Sequence, residues 1–98
     1  MTKADLIDDI AKKSGIEKLI VSEVVEGFMR SVQNNMSKGE SIYLRGFGSF
    51  LVTKRAEKTG RNISKNTVIV IPEHFVPTFK ACKEFKEKLR DLKASFLK

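Results

Sequence analysis

The segment from residue 53 to residue 67 most constrains what this chain can fold into. Five of its side chains are cationic and one is acidic, which gives a net charge of +4. The cations are Lys54, Arg55, Lys58, Arg61 and Lys65, and the acid is Glu57. Such a segment cannot form a hydrophobic core, yet the β-branched run Val68 to Ile71 follows it directly and needs a strand partner. The nearest partner is the stretch before Gly60, so the sequence predicts a hairpin arm over about residues 53–70.

Two helices are predicted before the arm. Thr2 and Asp5 fit a capping box, so the first helix should begin at Lys3 and end at Ser14-Gly15. Apolar residues at spacings of three and four predict a second helix from about Lys18 to Lys38. Its apolar stripe comprises Val21, Val24, Val25, Phe28, Met29, Val32 and Met36. This stripe is too wide for the first helix to cover, which favours packing against a neighbouring subunit, with a monomeric core helix as the alternative.

Strands are predicted after the second helix. Residues 41–44 and 47–54 should form two strands of a hairpin that packs against the helices, with a turn at Arg45-Gly46. Pro72 should end the strand at residues 68–71.

A last helix is predicted near the end of the chain. Pro77 restricts the residue before it to an extended conformation, so the helix should start between Phe79 and Cys82 and run towards Ser95. We therefore expect an α+β fold with a small antiparallel sheet, a long β-hairpin arm and a C-terminal helix at about residues 80–96.

The length and the residue types that bind metals limit how such a fold is stabilised. A chain of 98 residues predicts a single domain over residues 1–98, and its one cysteine forbids an internal disulfide. Cys82 and His74 cannot fill a zinc site, and neither has the neighbours of a catalytic nucleophile or base. We therefore expect no metal, no cofactor and no enzymatic activity, and self-association is the expected source of additional buried surface. No apolar run is long enough for a membrane span or a signal peptide, so a soluble cytoplasmic protein is expected.

The charge is concentrated in one half of the chain. Residues 1–44 carry a net charge of −1, whereas residues 45–98 carry +8. This asymmetry indicates a polyanionic partner for the second half, with nucleic acid favoured over an anionic membrane surface and a solvated basic face as the alternative.

Several fragments carry a resemblance to a known family. The first is Gly46-Phe47-Gly48-Ser49-Phe50, and the second runs from Arg55 to Asn62. Ile71-Pro72 follows, and then Val76-Pro77-Thr78-Phe79-Lys80-Ala81 with Lys83 and Lys86. In this order and spacing, over residues 1–90, the sequence resembles the bacterial HU and integration host factor proteins.

The resemblance implies an intertwined homodimer or heterodimer with a helical base, whose two β arms reach around duplex DNA through the minor groove. In that family the arm ends in an arginine-asparagine-proline triplet, and the proline inserts between base pairs. This chain has Arg61-Asn62-Ile63 at the tip, and apolar side chains of this kind do kink DNA. The alternative is that Ile63 caps the tip without intercalating. Cys82, where glycine is common, and the tail from Asp91 to Lys98 also depart from the family pattern.

Eleven residues are therefore predicted to contact DNA. Those of the arm are Lys54, Arg55, Lys58, Arg61, Asn62, Ile63 and Lys65, and those of the body are Lys3, Lys80, Lys83 and Lys86. We expect a histone-like architectural protein associated with the nucleoid, which compacts and bends duplex DNA largely independently of sequence and prefers bent, nicked or A·T-rich sites. The alternatives are a sequence-preferring heterodimer subunit similar to integration host factor, and a module that binds duplex RNA.

Overall fold

Two helices joined by a short turn form the base of the molecule. In the computed structural model, which describes residues 1–62 and 67–92, α1 spans Lys3–Ser14 and α2 spans Lys18–Ser37. The capping box is present, because the Thr2 hydroxyl accepts from the Asp5 amide at 3.3 Å and the Asp5 carboxylate accepts from the Thr2 amide at 2.9 Å. The Asp5 carboxylate accepts from the Thr2 amide and also from the Thr2 hydroxyl, at 3.0 Å, and these two bonds hold the pKa of Asp5 below its ordinary value. Gly15 ends α1 with a φ of 74°, so both predicted helices are confirmed.

Five strands follow the helices. They are β1 (Ile42–Leu44), β2 (Gly48–Arg55), β3 (Lys58–Asn62), β4 (Thr67–Ile71) and β5 (His74–Ala81). β2 lies between β1 and β5 in one antiparallel sheet, and β3 pairs with β4 in a second sheet. The predicted pairing of the basic segment with the β-branched run is therefore confirmed.

The arm continues the body sheet without a change of register. The β2–β5 ladder ends at the pair Arg55 and His74, and three positions further along each strand Lys58 lies opposite Ile71. The ladder of hydrogen bonds is interrupted at Pro72, because proline has no amide hydrogen to donate. Because no residue is inserted, each face of β2 and β5 passes directly into one face of the arm.

The last helix begins later than the sequence predicts. Instead of turning into a helix between Phe79 and Cys82, the chain stays extended in β5 up to Ala81, because its ladder with β2 continues to Gly48. The helix α3 spans Lys83–Leu89, and the Cys82 sulfur accepts from the Phe85 amide at 3.4 Å as its N-cap. α3 ends at Leu89 and does not run continuously towards Ser95. Residues 93–98 lie outside the described part of the chain.

A cluster of four phenylalanines joins the sheet to α3. The Phe79 ring lies 5.1 Å from the Phe47 ring and 5.0 Å from the Phe50 ring, and Phe85 of α3 lies 5.5 Å from Phe47. A Cβ on Gly48 would lie 2.5 Å from the Lys80 carbonyl oxygen and 2.7 Å from the Phe79 ring, so only glycine fits beside this cluster. These aromatic side chains therefore pack against one another between the sheet and α3.

The chain by itself buries little apolar surface. Ile7 and Val21 are the only buried hydrophobic residues in the described segments, and Val24 of the α2 stripe is 66% exposed. The radius of gyration is 19.0 Å, whereas a compact domain of this length has about 13 Å.

An apolar groove of about 520 Å³ also lies open between the end of α2 and the β2–β5 sheet. Val32, Met36, Phe50, Val52, Phe75, Val76 and Pro77 contribute to its walls. A cavity of this size and lining is unfavourable when it is filled with water. The open groove is therefore a second unfilled apolar surface beside the exposed α2 stripe.

Candidate nucleic-acid interface

A cationic groove lies between the β1–β2 turn and the start of α3. Lys80 at the end of β5 and Lys83 and Lys86 of α3 line one side, so the structure brings together three of the predicted body residues. Lys83 and Lys86 are three positions apart on the helix, which places them on neighbouring turns of one face. No acidic side chain is among the described residues that line this groove. The arrangement is therefore suited to an anion such as a phosphate backbone.

Three further polar residues line the same groove and were not among the predicted contacts. Arg45 comes from the β1–β2 turn, Tyr43 is 74% exposed on β1, and Ser49 lies opposite Lys80 in the sheet. Gly46 turns the chain with a φ of 83° and so places Arg45 beside α3. The sequence shows only a turn here, because the contact with α3 depends on pairing between distant strands.

The strand β2 separates two residues that the prediction grouped together. Side chains alternate along a strand, so Lys54 and Arg55 lie on opposite faces of the sheet. Arg55 shares its face with Ser49 and Lys80, whereas Lys54 shares the face of Phe50. The structure therefore connects Arg55, and not Lys54, with the face that carries the cationic groove.

Two of the predicted lysines have acidic partners within the chain. The Lys54 ammonium lies 3.0 Å from a Glu73 carboxylate oxygen, and the Lys3 ammonium lies 2.8 Å from one of Glu26. Lys3 holds the pKa of Glu26 below its ordinary value. All four side chains are exposed, and exposed ion pairs contribute little to stability. A phosphate can therefore replace either carboxylate at small cost.

The arm presents two different faces. Lys58, Gly60, Ile69 and Ile71 share one face, and Thr59, Val68 and Val70 share the other. Arg61 and Asn62 form the end of β3, opposite Val68 and Thr67. Two further predicted contacts, Ile63 and Lys65, lie outside the described residues.

Clusters of metal ligands and membrane-spanning helices were both sought among the described residues. Within residues 1–62 and 67–92, no three His, Cys, Asp or Glu side chains come close enough to hold a metal ion. None of the helices described in the structure is long and apolar enough to cross a membrane.

Comparison with known proteins agrees with this geometry. The model of the family described as "Bacterial DNA-binding protein" matches residues 1–90. The chain belongs to this family. One relative, the DNA-binding protein HU of Thermotoga maritima, is 41% identical over 90 residues, which are 92% of this chain and 100% of that protein. The HU protein of Clostridium pasteurianum is 43% identical over 89 residues, which are 91% of this chain and 98% of that protein.

Solved structures of family members share the fold. The Anabaena HU protein in its cocrystal with DNA is 34% identical and superposes with a TM-score of 0.87, over 93% of this chain and 99% of that chain. HU from Thermotoga maritima superposes with a TM-score of 0.67 at 31% identity, over 92% of this chain and 100% of that chain. The α+β fold with a hairpin arm, expected from the sequence patterns and from the family resemblance, is confirmed.

Proposed function

We propose that this chain is a histone-like architectural protein, two copies of which bind and bend duplex DNA. The observation that carries the proposal is the antiparallel pairing of β2 with β5 and of β3 with β4, which keeps one register across a short interruption and links a groove of cations on the body to a cationic arm. A ribbon of this kind neutralises phosphates over a long path. The similarity to HU proteins, one of them in a complex with DNA, supports the same function.

The unfilled apolar surfaces support a dimer. The exposed stripe of α2 and the groove around Phe50, Phe75 and Pro77 are apolar and open in the isolated chain. Because burial of apolar surface is the main driving force for association, a second subunit is the occupant that suits these surfaces. The dimer then carries two arms and two cationic grooves.

Affinity would come mainly from the phosphate backbone. Each cation that meets a phosphate releases condensed counterions, which favours binding without reading base sequence. The groove residues Lys80, Lys83 and Lys86 would hold the flanking DNA, and Arg55, Lys58 and Lys65 would follow the arm. Lys3 and Lys54 would also contact the DNA backbone, by exchanging their carboxylate partners for phosphates.

Bending would depend on the arm tip. Arg61 and Asn62 would lie in the minor groove, and Ile63 would enter a base step and replace some of the lost stacking. The minor groove distinguishes bases poorly, so flexible, nicked or A·T-rich sites would be preferred because they deform at least cost. A protein of this kind compacts DNA within the nucleoid and has no catalytic role.

A salt series on linear, nicked and kinked duplexes tests this function. If a dimer makes about 8 phosphate contacts, log K should fall with log salt with a slope of about −7. Nicked and kinked duplexes should bind more tightly than linear DNA, and duplex RNA should bind more weakly because its minor groove has a different shape. A slope shallower than about −2, or tighter binding of RNA, would contradict the proposal.

A further inference from the structure

His74 is the one histidine of the chain, and it lies where the body sheet meets the arm. It is the first residue of β5 and pairs with Arg55, the last residue of β2. Both residues are exposed. Residues directly opposite one another in an antiparallel pair have Cβ atoms about 5 Å apart on the same face. The imidazole and the guanidinium are therefore neighbours at this end of the sheet.

The face that carries this pair also carries the cationic groove. Side chains alternate along a strand, so this face holds Ser49 and Lys80 at the other end of the β2–β5 ladder, six residues and about 20 Å away. The residues between the two ends on this face are uncharged, and they are Leu51, Thr53, Val76 and Thr78. The face therefore has basic side chains at both ends and no acid along the β2–β5 ladder.

Two acidic residues lie close to His74 along the chain or across the strands. Glu73 precedes it, but the Glu73 carboxylate lies 3.0 Å from the ammonium of Lys54, which belongs to the opposite face of the sheet. Glu57 is exposed and lies in the two-residue interruption between β2 and β3. Arg55 therefore faces His74 directly, and Glu57 follows two positions further along the chain.

A hydrogen bond to the backbone determines which ring nitrogen of His74 can gain a proton. Nδ1 lies 2.9 Å from the Pro72 carbonyl oxygen. A carbonyl oxygen only accepts, so Nδ1 carries a hydrogen and donates it. The nitrogen left to gain a proton is Nε2, which then becomes a hydrogen-bond donor on a cation. A phosphate is the acceptor that suits such a donor beside a guanidinium.

We propose that His74 and Arg55 together hold a phosphate of the DNA at the junction of the body and the arm, and that the imidazole takes up a proton when DNA binds. Histidine is the side chain that changes charge between about pH 5 and pH 8, and an anion beside it favours its charged form. Binding should therefore tighten as the pH falls. The inference rests on the proposed DNA binding and adds a phosphate site and a dependence on pH.

The test is the affinity for a nicked duplex at pH 8 and at pH 6, measured by fluorescence anisotropy at constant salt. If the phosphate favours the charged imidazole tenfold, affinity should rise about sixfold for one His74, or about 40-fold for the two of a dimer, since imidazole titrates near pH 6.5. His74→Gln should remove this rise, and the dependence on pH that remains in this variant measures the other groups. His74→Lys carries a permanent cation, so it should bind at pH 8 about as tightly as the unsubstituted protein does at pH 6.

The presence of one histidine also permits a direct measurement by NMR. The chain has a single imidazole to observe, and its resonances should shift at a higher pH in the complex with DNA than in the free protein.

These measurements separate failure of the inference from failure of the proposed function. If the unsubstituted protein binds DNA but His74→Gln keeps the full rise in affinity, the inference is wrong and the proposed function stands. The same conclusion follows if the imidazole titrates at the same pH in the free and bound protein. Equal losses of affinity at both pH values in both variants would indicate a structural role and would also overturn the inference. If the unsubstituted protein binds no duplex DNA at either pH, the proposed function itself fails.

Discussion

Removal of two cations from the body groove should halve the salt dependence of DNA binding. Lys83 and Lys86 line the groove on neighbouring turns of α3, and neither is within ion-pair distance of an acid in the described segments. The double variant Lys83→Gln with Lys86→Gln removes four cations from a dimer while it keeps the length and polarity of the side chains. Each phosphate contact contributes about 0.9 to the slope of log K against log salt. If these four cations make half of the dimer's about 8 phosphate contacts, the slope should change from about −7 to about −3.5.

This change in slope is large enough to measure by fluorescence anisotropy. Between 50 and 200 mM salt, the unsubstituted protein should lose about 10⁴-fold in affinity, and the double variant about 10²-fold.

A matched control removes the same number of charges at a site away from the groove. Lys12→Gln with Lys13→Gln removes two cations from the last turn of α1, and its slope should stay near that of the unsubstituted protein. An unchanged slope in the α3 variant, or an equal change in the α1 variant, would refute the assignment of the groove to phosphate contact.

Three further predictions follow from other parts of the structure. Gly48→Ala should lower the free energy of unfolding by about 2 to 3 kcal/mol, because its Cβ would meet the Lys80 carbonyl oxygen at 2.5 Å. Urea unfolding measures this change. Gly60→Ala is the control, because an added Cβ there meets no atom closer than 3.9 Å, and an equal effect of the two substitutions would contradict the prediction. Ile63→Ala should reduce bending more than binding because it removes the apolar wedge, and an unaltered bend angle by energy transfer would exclude that role. The pKa values of Asp5 and Glu26 are lowered in the folded protein from their ordinary values of 3.8 and 4.5. The stability that these two carboxylates contribute is therefore fully present above the ordinary pKa values, and it is lost as the pH falls through the lowered ones. Urea unfolding below pH 4.5 should show this loss, and Asp5→Asn should reduce it; the same pH dependence in that variant would count against the capping box as a cause.

Local patterns were sufficient for the first two helices and the arm. The capping box at Thr2 and the stop at Gly15 depend on neighbours in the chain, so the bounds of α1 are visible in the sequence. The arm was predictable for a similar reason, since a segment of net charge +4 cannot be buried and the adjacent β-branched run needs a partner.

The start of the last helix depended on contacts that sequence spacing does not show. The predicted start between Phe79 and Cys82 would place Phe79 at the beginning of the helix, but Phe79 belongs to β5 and only Phe85 to α3. Their rings are 6.3 Å apart because the chain turns at Cys82 and both side chains join one aromatic cluster. Pairing of Phe79 with Phe50, from a distant part of the chain, therefore overrode the local pattern.

The candidate site likewise contains some residues that local patterns predict and others that only the folded sheet brings together. The cations of α3 follow from helical spacing, whereas Arg45 reaches their groove only because β1, β2 and β5 form one sheet. The separation of Lys54 from Arg55 could have been predicted, since adjacent residues of a strand lie on opposite faces. The sequence pattern does not show which face of the strands carries the cationic groove.

The mass of the protein and of its complex with DNA tests the central claim most directly. Sedimentation equilibrium at micromolar concentration should give twice the mass of one 11.1 kDa chain, and addition of a short nicked duplex at low salt should give one complex of two chains with one duplex. A protein that sediments as a monomer with and without duplex, or a complex of one chain with one duplex, would contradict the account of paired arms.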